Sequence, residues 1–311
     1  MDGGGGFGGG GGGGAALVRP GEESQQLGDD AALVHRLRKE LRSVPLEDTV
    51  LEAIEMMAVE HDLDMEELAF VVEVRIPELR ATLVREGIEG VYRLDFALAI
   101  YLYTINAPKL YEKINSASHA TDRDSGPGGL SPRLRVCLPY IKFLDTALAA
   151  LPAKYLHTGR VNRGIKWAFP SPETHDPERH FPIGKRFFWY EFKSAARDFQ
   201  VMYQPCFCGE SGPRTIFTID ACQSYRIEAF SHFPTEAEVL FRPLAHFEVT
   251  FTQKKLLAKH LRPGAPKGGF PDEVRTHWLP AGEGLCSVPS RQHSAHTSAQ
   301  EGVVNTLEHC A

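Results

Sequence analysis

The apolar positions of this chain change period once, and the change divides it. From Asp29 they fall at helical spacing. Leu33, Val34, Leu37 and Leu41 mark one face, with Asp29 or Asp30 placed to cap the first turn. A second helix is predicted after Pro45, on Leu46, Val50, Leu51, Ile54 and Met57. Met65 to Arg85 keeps the period but contains Pro77. A proline inside a helix costs about 3 kcal/mol, which predicts two helices or a kink there. Leu94 to Asn106, LDFALAIYLYTIN, is nearly all apolar and predicts a buried helix. Pro108 opens another, through Ile114. Residues 121–132, TDRDSGPGGLSP, read as a loop, and 133–151 return to helix on Leu138, Ile141, Leu144 and Leu148.

After about residue 157 the period becomes that of strands. Arg160 to Trp167 alternates, with Val161, Ile165 and Trp167 as the inward positions. Phe187 to Phe192, Thr215 to Asp220 (TIFTID) and Phe247 to Thr252 (FEVTFT) follow, separated by turns rich in Gly and Pro. Helices first and short strands second predict an α+β fold. The two ends carry neither period. Eleven of the first fourteen residues are Gly, and from Arg262 onward Gly, Pro, Ser and His come in mixed order. Both ends, 1–28 and 262–311, are expected to be disordered.

Charge and composition narrow the classes of function. The chain carries 34 Lys+Arg and 40 Asp+Glu, a net charge of -6 without a long basic run. That argues against a nucleic-acid surface. No apolar run approaches the roughly 20 residues of a membrane-crossing helix. The opening MDGGGG lacks the basic-then-apolar order of a secretory signal, and the last residues lack a lipid-anchor tail. A cytoplasmic location is expected. The six Cys residues are then expected as free thiols, with the C-x-C of Cys206 and Cys208 structural. His293 and His296 are expected to be solvated, and no metal site is predicted.

The densest chemistry lies in Tyr225 to Phe251, YRIEAFSHFPTEAEVLFRPLAHFEVTF. Glu236 and Glu238 stand two apart, just before the apolar run Val239, Leu240 and Phe241. On an extended backbone, side chains at i and i+2 point to one face, so both acids can face one pocket. Pro234 ends the preceding segment and turns the chain into the strand. On spacing alone, such a pair reads first as a solvated strand face.

The surrounding positions add specificity. Ser231, Phe233, Pro234, Glu236, Glu238, Val239, Leu240, Pro243, Phe247 and Val249 together resemble the signature of arginine-specific mono-ADP-ribosyltransferases. The resemblance extends over about 93–255, where YLYT, LYEKIN and a helix ending in Leu-Pro match the family's helical lobe. It implies a mixed, mainly antiparallel two-sheet core behind that lobe. The expected organisation is a Gly-rich segment at 1–28 and a helical region at 29–92. A catalytic domain follows at 93–261, with its lobe at 93–157 and β core at 158–261, and then a tail at 262–311.

The family has three marks in fixed order: Arg, Ser and Glu. Arg163-Gly164 matches the first. A guanidinium stays charged and offers a planar fork of donors to a pyrophosphate. Gly164 leaves the backbone open for close approach, which the resemblance assigns to the nicotinamide amide. Ser194 matches the second, but Ala195 and Ala196 stand where the family has hydroxyls. The resemblance gives Ser194 the task of holding the site together and touching the dinucleotide. Glu238 matches the third, beside the ribose whose bond to nicotinamide breaks. That bond develops oxocarbenium-like charge, which a carboxylate stabilises. The resemblance then gives Glu236 the task of orienting and deprotonating an acceptor guanidinium, a poor nucleophile because its pKa exceeds about 12.

The resemblance therefore implies NAD or NADP as co-substrate and a protein with an exposed arginine as partner. Two other readings stay open on these residues. One is an NAD glycohydrolase, with water as acceptor, and the other is an inactive NAD-binding module. Trp167, Phe169, Phe187, Phe188, Trp189, Tyr190 and Phe192 offer either core packing or a stacking surface for a base.

Overall fold

The computed structural model describes residues 31–254 and 271–279, apart from 121–124, 127, 128, 172, 205, 206 and 210. The Gly-rich segment, the capping Asp29 and Asp30, Cys206, His293, His296 and most of the predicted tail lie outside the described residues.

The helices come first. They are α1 (Ala31–Ser43), α2 (Val50–His61), α3 (Met65–Arg85), α4 (Leu94–Thr104), α5 (Leu110–His119), α6 (Pro132–Arg135) and α7 (Leu138–Ala149). A reciprocal cap starts α2: Glu52 N–H donates to Thr49 Oγ1 at 3.2 Å, and Thr49 N–H donates to Glu52 Oε2 at 2.8 Å. Of the two helices or a kink expected at Pro77, the two helices do not form: α3 runs through it. Pro77 and Glu73 are both exposed. The carbonyl that loses its donor therefore faces water and keeps a partner.

The apolar run of α4 is buried from Phe96 to Tyr103, as its composition predicts. α7 packs across it, with Phe96 and Phe143 edge-on at 5.3 Å and Tyr140 donating to the Ala99 carbonyl at 2.9 Å. One hydrophobic core runs from Leu33 through Leu98 and Leu144 and continues into Phe192, Tyr225 and Leu240 of the strand region. The expected border at residue 92 thus falls within continuous apolar packing.

The strands are β1 (Leu156–Ile165), β2 (Arg186–Trp189), β3 (Lys193–Ala196), β4 (Thr215–Arg226), β5 (Glu238–Phe241), β6 (Ala245–Gln253) and β7 (Asp272–Leu279), with a short α8 (Pro177–His180) before β2. Their order is β1-β3-β5-β4-β7-β6-β2, and β1 also pairs with β4. Among the described strands, only β4 and β7 run parallel. The long β4 joins two groups. Its first part lies between β1 and β7, while its last residues, Tyr225 and Arg226, pair with Leu240 and Val239 of β5. A second core, including Val161, Phe181, Phe217, Phe241 and Phe247, fills the space against this sheet. The fold is α+β and mainly antiparallel.

β7 corrects the expectation of disorder from Arg262 onward. Residues 272–279 form an interior strand between β4 and β6. Its inward positions include the fully buried Asp272 and Thr276 beside Val274. Polar residues at buried strand positions erase the apolar alternation that marks a strand in sequence.

Candidate active site

Three strands bring the predicted residues together. Arg163 lies on β1, Ser194 on β3 and Glu238 at the start of β5. β3 runs between the other two: Ala196 stands opposite both Asn162 and Glu238, and Ser194 opposite Leu240. The half-buried Arg163 donates from Nη1 to the Ser194 carbonyl at 2.7 Å and approaches Ser194 Oγ at 3.4 Å. Ser194 in turn hydrogen-bonds Glu238. Guanidinium, hydroxyl and carboxylate form one connected chain across three strands.

The site's electrostatics separate the acids from ordinary surface carboxylates. Burial, and then the neighbouring charge of Glu236, push Glu238 up to about 7, against the opposing pull of Ser194 and Arg163. Burial also raises Glu236. Neither acid belongs to a solvated strand face.

Their closeness has a different cause from the one the spacing suggests. Glu236 closes a short 3-10 turn, Pro234–Glu236, and Ala237 adopts a left-handed conformation with φ 48° before β5 begins at Glu238. The two acids therefore do not alternate along one strand, and the bend at Ala237 sets their relation. Arg197 brackets that bend. Its backbone N–H and its Nε both reach the Ala237 carbonyl at 3.4 Å, and its Nη2 donates to Glu228 Oε1 at 2.8 Å. Upstream, Phe233 N–H donates to Ser231 Oγ at 3.0 Å and His232 N–H to Thr104 Oγ1 of α4 at 2.9 Å. The helical lobe thus holds the segment that carries Glu236.

Gly164 is also constrained by the chain itself. A Cβ there would lie 2.8 Å from Cys208 Cβ and 3.1 Å from Met202 Sδ. The chain's own Met202 and Cys208 fill that space. Cys137 and Cys208 are buried free thiols. Ala195 and Ala196 are buried against the second core and against Met202 and Ile216 respectively. Hydroxyls at these positions would need partners among apolar side chains. Most of the flagged aromatics are core: Phe169, Phe187, Trp189, Tyr190 and Phe192 are buried. Trp167 donates to the Pro170 carbonyl at 3.2 Å, and Phe188 stacks on His246 at 4.1 Å.

Four residues beside the site, Glu191, Lys193, His119 and Tyr103, were not singled out from the sequence. Glu191 is buried, paired with His119 Nε2 at 2.8 Å and with Lys193 Nζ. Burial alone would raise its pKa, but His119 and Lys193 outweigh burial and hold it at about 2. Tyr103 of α4 donates to the Phe192 carbonyl at 3.0 Å. The only hint in sequence was the alternation of Glu191 and Lys193 in the stretch that holds Ser194.

Comparison with known families places this geometry. The model of the NAD:arginine ADP-ribosyltransferase family matches residues 80–262. The chain belongs to this family. NAD is the family's co-substrate. A search of curated proteins returned no match. Among solved structures, the type III effector XopAI of Xanthomonas axonopodis pv. citri has a TM-score of 0.51 at 14% identity, over 80% of this chain and 96% of that one. It shares the fold. The ADP-ribosyltransferase HopU1 of Pseudomonas syringae pv. tomato gives 0.48 at 18% identity, over 67% of this chain and 87% of its own. Vis of Vibrio splendidus, solved in complex with agmatine, gives 0.42 at 19% identity, over 71% and 88%.

No helix among the described residues is long and apolar enough to cross a membrane.

Proposed function

We propose that this ADP-ribosyltransferase moves ADP-ribose from NAD or NADP to an arginine side chain of a protein, releasing nicotinamide. One observation carries the reading. Arg163, Ser194 and Glu238 come together from three strands, with Glu236 close enough to perturb Glu238.

Each residue then has a task. Arg163 offers its remaining donors to the diphosphate. Ser194 holds Arg163 through its carbonyl and Glu238 through its hydroxyl. Glu238, as carboxylate, accepts a hydrogen bond from the ribose and stabilises positive charge at the anomeric carbon. Nicotinamide leaves with the electron pair of the glycosidic bond. A guanidinium nitrogen of the acceptor forms the new bond to that carbon, and its proton passes to Glu236. The same site without Glu236 would still release nicotinamide, with water as acceptor.

The test uses labelled NAD and agmatine, following both nicotinamide and the adduct. The expected result is ADP-ribosyl-agmatine from the wild type. Glu236→Gln should lose the adduct while still releasing nicotinamide. Nicotinamide release without adduct in the wild type would make the chain a glycohydrolase. NAD binding with neither product would make it an inactive binding module.

A further inference from the structure

The four residues from Glu191 to Ser194 are anchored one by one. Glu191 pairs with His119 of α5 at 2.8 Å and with Lys193. Tyr103 of α4 holds the Phe192 carbonyl at 3.0 Å. Arg163 of β1 holds the Ser194 carbonyl at 2.7 Å. Glu191, Lys193 and His119 are only 1%, 2% and 7% exposed. Burying an ionised carboxylate is costly unless it is paired and hydrogen-bonded. Apolar residues at both 191 and 193 would pack the same corner without that cost. The retained charge therefore points to a task beyond packing.

We propose that Glu191 is a positioning residue for Arg163. Its clamp between His119 and Lys193 fixes the backbone from which Ser194 holds that guanidinium, and its carboxylate is the buried counter-charge in the guanidinium's surroundings. The inference rests on the reading that Arg163 grips the diphosphate of NAD. Burial weakens the protonated form of Arg163, and Glu191 leads the charges that oppose this, ahead of Tyr103 and Glu238. Glu238 is a poor substitute, because with a pKa of about 7 it is partly protonated near neutral pH.

Packing and positioning make different predictions. Glu191→Gln strands Lys193 as a buried cation and should lower the melting temperature. The double variant Glu191→Gln with Lys193→Met removes both charges, so it should recover most of that loss. Positioning of Arg163 would stay broken in both. The experiment measures nicotinamide release by the full chain with NAD varied and agmatine saturating, alongside thermal melts.

The expected result is a KM for NAD raised about tenfold or more in the double variant, with kcat within about threefold of wild type, because ground-state binding is what is lost. A double variant that remains unfolded, or folds with wild-type KM, overturns the inference. A wild type that neither binds nor cleaves NAD overturns the underlying reading and the inference with it. An active wild type with unchanged KM in the folded variants overturns only the role of Glu191.

Discussion

Two carboxylates in the surroundings of Arg163 titrate in opposite directions. Glu238 is pushed up to about 7 by burial and by Glu236, whereas Glu191 is held at about 2 because His119 and Lys193 outweigh burial. The difference lies in their partners. Glu191 has two basic side chains at ion-pair distance, while for Glu238 burial and another acid outweigh the serine hydroxyl and Arg163. Two identical groups thus take two roles from their environment. On the proposed reading, the paired one serves the frame and the frustrated one serves the chemistry.

The sharpest way to break this contrast is Glu238→Gln. It should lower nicotinamide release about a thousandfold, the scale expected when a preorganised charge is removed from a developing cation. Stability should move the other way. The pKa of Glu238 in the fold, about 7, lies above its ordinary 4.5. The folded state then holds the proton more tightly, so ionising Glu238 weakens the fold as pH rises from the unfolded value to about 7. The Gln variant should melt higher than wild type at about pH 8 and differ little at about pH 5. A lower melting temperature at the higher pH would mean that Glu238 is a satisfied structural acid.

The paired corner should respond differently. Lys193→Met leaves Glu191 ionised with His119 alone and should cost about 3 kcal/mol, read by urea denaturation at neutral pH. The folded pKa of Glu191 is below its ordinary 4.5, so its stabilisation is present above that value and is lost as pH falls toward about 2. Gly164→Ala sits next in size. Its Cβ would meet Cys208 Cβ at 2.8 Å, which should cost about 2 kcal/mol by overpacking. An unchanged midpoint of denaturation would show that Met202 and Cys208 yield freely.

The two parts of the fold differ in how far the sequence discloses them. The helical lobe is built on apolar period, and α4, α5 and α7 stand close to where that period predicts them. α3 departs because the exposure of Glu73 and Pro77 is a tertiary fact. The β core is less legible where polar groups are buried. β7 was hidden by Asp272 and Thr276 at inward positions, and the clamp on Glu191 joins residues separated by 72 positions. The motif named Arg163, Ser194 and Glu238, and the structure brings all three together. The assumed extended backbone between Glu236 and Glu238 failed, because local spacing carries no sign of a left-handed Ala237. The motif singled out Gly164, but its crowding by the distant Cys208 could not be read from local sequence.

The most direct measurement is the pH dependence of kcat/KM for nicotinamide release, from about pH 5 to about pH 9, in wild type and two variants. Wild type should rise through about 7 as Glu238 ionises. Glu236→Gln should move that midpoint down, because the charge of Glu236 contributes to the raised value. Glu238→Gln should be slow and flat throughout. A flat wild-type profile, or a Glu238→Gln variant that keeps the wild-type rate and midpoint, would contradict the account.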